Sequence, residues 1–192
     1  MYNVSKIIVL CGEACSGKDS IMRMMVHNEG YQPCVSHTTR PMREGEVEGR
    51  EYYFMTTNDF LDKLHAKDFV EVREYNTVDG LWLYGMSYAE LDSKLGQGDI
   101  VMILDIKGML ELKQSKYRDM IVSFYINVDE NTRLERYLNR DGGLTLNKVQ
   151  ECARRFEADR EDFEDAEKWC DYTIKPITSY DGMQRILDIL GK

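Results

Sequence analysis

Residues 6–18 read Lys6-Ile7-Ile8-Val9-Leu10-Cys11-Gly12-Glu13-Ala14-Cys15-Ser16-Gly17-Lys18. The apolar, β-branched run at 6–11 suits a strand buried on both faces of a parallel sheet. Beyond it, over about 17–28, Ile21, Met24 and Met25 recur at helical spacing and read as core. Between strand and helix stands G-x-x-x-x-G-K, and that context makes the pattern a phosphate-binding loop. Glycines let successive amides curl round phosphate oxygens, the helix start adds partial positive charge, and Lys18 reaches the β and γ phosphates. The candidate phosphate-binding residues are therefore Gly12, Glu13, Ala14, Cys15, Ser16, Gly17, Lys18, Asp19 and Ser20. Asp19 stands where a Ser or Thr hydroxyl ordinarily helps hold Mg²⁺. It is either a first-turn carboxylate favoured by the helix dipole or an oxygen for the metal and its waters.

The same alternation continues outward. Buried strands are expected at 100–105 and 121–128, each followed by helix-compatible segments at 108–117 and 130–140. A long charged helix is expected over about 147–168, a short strand at 171–175 and a closing amphipathic helix at 180–190. This pattern predicts an α/β fold, a parallel sheet flanked by helices. The segment 35–88 departs from it, with short β-like stretches at 51–55, 69–75 and 81–84, and reads as an inserted β-rich subdomain. Residues 141–147, DGGLTLN, lie between two arginine-bearing helices and suit a mobile flap.

With 192 residues and 43% apolar content, the chain supports one sizeable core. The first ten residues lack the long apolar region of a signal peptide, and no apolar stretch reaches the roughly 18 residues of a spanning helix. The expectation is a cytoplasmic protein with no membrane partner. Five cysteines form no CxxC pair, so they are expected to be reduced thiols and no cysteine or histidine metal site is expected. A net charge of −9 argues against a nucleic-acid surface. Local basic clusters do occur, at Arg40 and Arg43, at Arg133, Arg136 and Arg140, and at Arg154, Arg155 and Arg160.

Residues 35–54, VSHTTRPMREGEVEGREYYF, closely resemble the signature V-S-x-T-T-R-x-x-R-x-G-E-x-x-G-x-x-Y-x-F of guanylate kinases. The resemblance implies a P-loop core at 1–34 and 89–192, a lid at about 136–160 and a GMP-binding subdomain at 35–88, all in one domain. It implies transfer of the γ-phosphoryl of ATP, with Mg²⁺, onto GMP or dGMP. Arg40, Arg43, Tyr52 and Tyr84 match the residues that hold the acceptor phosphate. Glu71 and Ser36 match those that read guanine, and Asp105 matches a further acidic position beside the acceptor. Guanidinium groups bind phosphate bidentately, and tyrosine hydroxyls donate without adding negative charge. A carboxylate accepting two guanine N–H groups would leave adenine unpaired.

By the same resemblance Lys18, Arg140 and Arg155 act on the transferred phosphoryl, with Arg136 in support. Arg133 and Arg160 read as solvated helix charges. The chain departs from the family at Lys107, where a second acid is usual, at Met86, where a hydroxyl residue is usual unless Ser87 replaces it, and at Pro176, where an Asn is usual. These departures leave a broader deoxynucleoside monophosphate kinase as the enzyme alternative. A binding module of guanylate-kinase-like fold is the alternative of another class. The sequence leaves the oligomeric state open.

Overall fold

The computed structural model describes residues 5–77, 80–139 and 145–192. Among these, a parallel sheet has the order β2-β7-β1-β8-β9, formed by β2 (Gln32–Pro33), β7 (Ile100–Ile103), β1 (Ile7–Cys11), β8 (Ile121–Ile126) and β9 (Tyr172–Ile174). β1 is central, with Ile7 opposite both Ile100 and Ile121, and every residue of it is fully buried. Because successive side chains alternate between faces, Ile7, Val9 and Cys11 join one core and Ile8 and Leu10 the other.

The first core is closed by α3 (Tyr88–Leu95), α4 (Ile106–Lys113), α6 (Leu146–Phe163) and α7 (Ala166–Trp169), through Leu91, Met109, Leu112, Phe163 and Ala166. The second is closed by α1 (Lys18–Glu29) and α8 (Ser179–Leu190), through Ile21, Met25, Met183 and Ile186. Ile21 and Met25 are therefore core, as their spacing predicts. α5 (Glu130–Leu138) follows β8, and its start is capped by Asp129, whose side chain accepts from the Thr132 amide at 2.9 Å.

A second sheet, ordered β4-β3-β6-β5, lies within the inserted segment: β3 (His37–Thr38), β4 (Tyr53–Phe54), β5 (Phe69–Thr77) and β6 (Gly80–Ser87). β5 and β6 pair antiparallel, with an irregularity between Phe69 and Glu71. This sheet carries its own helix, α2 (Thr57–His65), which seats Phe60 on Phe69 with ring centroids 4.5 Å apart.

Three sequence expectations are corrected. The helix foreseen over 147–168 is two, α6 and α7, divided at Glu164–Asp165. α2 and α3 were hidden within or beside strand-like composition, and each is started by a side-chain cap, Thr56 on the Asp59 amide and Ser87 on the Glu90 amide. The strand foreseen over 100–105 ends at Ile103, because Asp105 caps α4 by accepting from the Gly108 amide at 2.7 Å. Most of the flap foreseen at 141–147 lies outside the described residues.

Candidate active site

The phosphate loop joins β1 to α1 in a backbone path that requires left-handed residues. Gly17 takes φ 99° at the cap of α1, and Cys15, although not glycine, takes φ 62°. At Gly12 a Cβ would come 2.8 Å from the Ile126 carbonyl and 2.9 Å from Ser16 Oγ, so only glycine lets the loop leave the sheet this closely. Lys18 Nζ folds back into the loop and donates to the carbonyls of Gly12 at 2.5 Å and Glu13 at 2.8 Å, and to Ser16 Oγ at 3.3 Å. Burial lowers its pKa, and the nearby carboxylates of Asp19 and Asp159 oppose that shift.

Arginines brace the loop from outside. Arg136 Nη1 donates to the Cys15 carbonyl at 3.1 Å. Arg133 is buried, correcting its reading as a solvated charge. Its Nε donates to the Val128 carbonyl at 3.2 Å, its Nη1 lies 3.4 Å from Asp159, its Nη2 lies 3.7 Å from Glu13, and its guanidinium stacks 4.9 Å from the Phe156 ring centroid. Arg160 is exposed, as expected, and pairs with Glu130 and Glu157. Glu13 Oε1 accepts from the Tyr125 hydroxyl at 3.0 Å, while its buried Oε2 has no hydrogen-bond partner among the described residues. Arg155 is exposed on α6, whereas Arg154 pairs with Glu151 and reaches the Asn76 carbonyl at 3.4 Å. Arg140 lies outside the described residues.

Two side-chain oxygens near the loop could serve a Mg²⁺ carried by nucleotide phosphates. The Asp19 carboxylate and Ser20 hydroxyl open α1 beside Lys18, and among the described residues no group of three or more His, Cys, Asp or Glu could hold an ion unaided. Such a set suits a small, hard cation that takes its remaining oxygens from phosphates and water.

The inserted sheet assembles a second polar cluster. Arg40 is buried beside β3, and its guanidinium forks onto Glu46, Nη1 to Oε2 at 3.0 Å and Nη2 to Oε1 at 2.7 Å. Burial works against the Arg40 charge, but Glu46 and Tyr84 outweigh it and raise its pKa; the same pairing lowers that of Glu46. From Arg40 an aromatic path runs inward: its guanidinium stands 5.2 Å from the Tyr52 centroid, and Tyr52 meets Tyr84 edge to face at 5.5 Å. Burial raises the pKa of Tyr52, and the charges acting on its hydroxyl include Arg73, Arg40 and Asp19 of the phosphate loop. Arg43 is exposed on the connection after β3.

At the inner end, Glu71 is buried and paired to Arg73, whose Nε donates to Oε2 at 2.8 Å and Nη2 to Oε1 at 3.3 Å. The Tyr75 hydroxyl donates a short hydrogen bond to Asp105 Oδ2, whose other oxygen caps α4. Ser36 is buried at the start of β3. The path thus links Arg40, Tyr52 and Tyr84 to Glu71 and Asp105, five of the residues singled out in sequence. Sequence reading missed Arg73 and Tyr75. The period-2 alternation of β5 was the available signal, since it puts Glu71, Arg73 and Tyr75 on one face.

Comparison with known proteins now gives this arrangement a family. The family model for guanylate kinase matches residues 4–186. The chain belongs to the guanylate kinase family. A guanylate kinase of Clostridium tetani (strain Massachusetts / E88) is 35% identical over 62% of this chain and 56% of its own length. A guanylate kinase of Legionella pneumophila (strain Paris) is 32% identical over 72% of this chain and 65% of its own length. The chain therefore matches less than two thirds of these curated relatives. Its fold is similar to the crystal structure of guanylate kinase from Anaplasma phagocytophilum, with a TM-score of 0.70, 24% identity, and coverage of 98% of this chain and 85% of that one.

Within the guanylate kinase family this chain's departures take on structural meaning. Met86 is core, packed in the cluster that includes Val9 and Met102. Ser87 Oγ caps α3, accepting from the Glu90 amide at 3.2 Å. Lys107 is exposed on α4. Pro176 follows β9 and packs on α8, where a Cβ at Gly182 would meet it at 3.2 Å. Among the described residues, no helix is long and apolar enough to cross a membrane.

Proposed function

We propose that the protein transfers the γ-phosphoryl group of ATP to GMP or dGMP, acting in the cytoplasm with Mg²⁺. The observation that carries this reading is the pairing of two clusters in one chain: a glycine loop with Lys18 folded into it, and Arg40 against the face of Tyr52, which meets Tyr84 edge to face. A triphosphate on the loop and a monophosphate on Arg40, Arg43, Tyr52 and Tyr84 would face each other. Residues 35–88 are the acceptor subdomain in this reading, and about 136–160 the lid.

Phosphoryl transfer asks for alignment and charge stabilisation more than covalent chemistry from the protein. Lys18, leaving its loop carbonyls, would move its charge to the transferred oxygens, with Arg136, Arg140 and Arg155 closing over them. Mg²⁺, held through Asp19, Ser20 and the phosphates, would neutralise developing charge. The acceptor phosphate oxygen is already ionised at neutral pH, so no general base is assigned. Closure of the lid would exclude water and limit loss of ATP to hydrolysis.

The test is ADP release with Mg·ATP and GMP, run beside AMP and with Lys18→Ala as control. Lys18-dependent turnover with GMP supports the reading. GMP binding without turnover would leave the acceptor site and remove the enzyme, making the chain a binding module.

A further inference from the structure

The inserted segment leaves the core just after β2, where the Cys34 amide still donates to the Val101 carbonyl of β7 at 3.4 Å, and rejoins it where β6 runs into α3. Only Val35 and Ser36, both buried, lie between Cys34 and β3. Glu90 stands at the other crossing, in the first turn of α3, next to Leu91, which is fully buried in the first core. Ser87 caps this helix through the Glu90 amide. In a reciprocal capping box the glutamate side chain would turn back to the capping residue. Here its two oxygens cross to the inserted segment instead: Oε1 accepts from the Val35 amide at 3.2 Å, and Oε2 accepts from the Tyr53 hydroxyl of β4 at 3.4 Å. The Tyr53 amide in turn donates to the Ser36 carbonyl at 3.0 Å. Three hydrogen bonds therefore close a ring through Glu90, Val35–Ser36 and Tyr53. Burial, and then the charge of Glu90, raise the pKa of Tyr53, so its hydroxyl keeps the proton that it donates.

A closed ring fixes its members together, and this one is anchored on a helix whose neighbouring side chain is core. Ser36 belongs to the ring and Tyr52 directly precedes Tyr53. We propose that Glu90 is a positioning residue for the acceptor site, holding the inserted segment on α3 so that Ser36 and Tyr52 stand where a nucleoside monophosphate is bound. The proposal deepens the GMP reading and rests on it. The phosphate loop between β1 and α1 shares no residue with the ring, so donor binding is independent of Glu90.

The experiment measures GMP and Mg·ATP affinity by calorimetry, with steady-state KM and kcat, for the full chain and for Glu90→Ala, Glu90→Gln, Tyr53→Phe and the double variant Glu90→Ala/Tyr53→Phe. Glu90→Ala should weaken GMP binding by about tenfold, the size of one lost hydrogen bond, and raise KM for GMP in step. ATP affinity and kcat should stay within about twofold of the parent, the pattern of lost uniform binding. Glu90→Gln keeps an oxygen for the Val35 amide and offers its NH₂ to the Tyr53 oxygen, so GMP affinity should return to within about threefold of the parent. Tyr53→Phe should weaken GMP binding by about threefold alone and add nothing in the Glu90→Ala background, because the ring is already open there. If Glu90→Ala fails to fold, Tyr53→Phe and Glu90→Gln carry the test. GMP affinity unchanged in Tyr53→Phe and Glu90→Ala, or equal losses of GMP and ATP affinity, as a merely structural role would give, would overturn the role of Glu90 and leave the GMP reading standing. Failure of the unmodified protein to bind GMP would overturn that reading and this proposal with it.

Discussion

Asp159 of α6 accepts the Ala14 amide of the phosphate loop at 2.7 Å and lies 3.4 Å from Arg133 Nη1 of α5. One carboxylate thus ties the loop to two helices from the far half of the chain. Arg133 is nearly inaccessible, and removing one member of a buried ionic group leaves the rest unpaired in low dielectric. Arg133→Ala should cost about 3–5 kcal/mol in urea unfolding. Arg160→Ala, which removes only two exposed ion pairs from the residue next to Asp159, should not measurably change the midpoint. Equal effects from the two substitutions would refute the bracing role of Arg133.

Lys18 is held inside the loop by two backbone carbonyls, of Gly12 and Glu13, and by the Ser16 hydroxyl. A charge stored so close to the transferred phosphoryl needs little rearrangement to stabilise the transition state. Lys18→Ala should lower kcat by at least about a hundredfold, the loss typical of a single preorganised donor. Steady-state kinetics with GMP measure it, and a variant retaining more than about a tenth of the activity would contradict the assignment.

Glu46 holds both terminal nitrogens of Arg40, and its oxygen Oε2 also accepts from the Arg43 amide at 2.7 Å. It orients Arg40 and shapes the turn that carries Arg43, the two arginines proposed to hold the acceptor phosphate. Glu46→Gln should therefore raise KM for the acceptor by about tenfold while kcat changes little, since a charge-assisted bond is worth about 1.5–3 kcal/mol and is only partly lost to an amide. A fall in kcat with unchanged KM would place Glu46 in the transfer step instead.

At Gly108, a Cβ would meet Glu71 Oε2 at 2.9 Å, Arg73 Cδ at 3.0 Å and Asp105 Oδ1 at 3.2 Å, all three in the acceptor cluster. Gly108→Ala should push the Glu71–Arg73 pair out of place and weaken GMP binding in calorimetry, with an overpacking cost of about 1–3 kcal/mol in stability. ATP binding serves as the internal control, because the phosphate loop is not touched. Loss of both affinities together would indicate a general defect.

Much of this molecule was legible because single residues dominate their surroundings. The run Ile7–Cys11 has no reading but a buried strand, and Gly12, Gly17 and Lys18 then fix the loop. Helical spacing, by contrast, could not separate Arg133 from Arg160, since burial of a charge depends on which distant carboxylates arrive beside it, here Glu13 and Asp159. Ser87 was weighed as a hydroxyl for the base; that its oxygen also caps α3 shows only in the structure. α2 has Phe60 as its one buried apolar anchor. Glu71 was legible by resemblance; that Arg73 covers it followed only from the sheet face they share.

His37 belongs to no chemistry in the site and still should leave a mark on stability. It is buried in β3 between Tyr53 and Phe69, with ring centroids 5.0 and 5.5 Å away, and its Nδ1 has no hydrogen-bond partner among the described residues. Burial, with the positive charge of Lys63, holds its pKa below the ordinary 6.5, against the smaller opposing effects of the Gly85 backbone, Glu90 and Glu48. The unfolded chain then binds the proton more readily than the folded one, so stability must fall as pH drops below about 6.5 and must stop falling on this account once the folded histidine is also protonated. The paired carboxylates Glu46 and Asp171, whose pKa values are lowered in the folded protein, contribute their own losses only at more acidic pH. Urea unfolding of the unmodified chain and of His37→Gln at about pH 7.5, 6.5 and 5.5 separates the two. The variant should lose less stability than its parent between about pH 6.5 and 5.5. Parallel behaviour across that interval would mean that His37 takes up its proton as easily folded as unfolded.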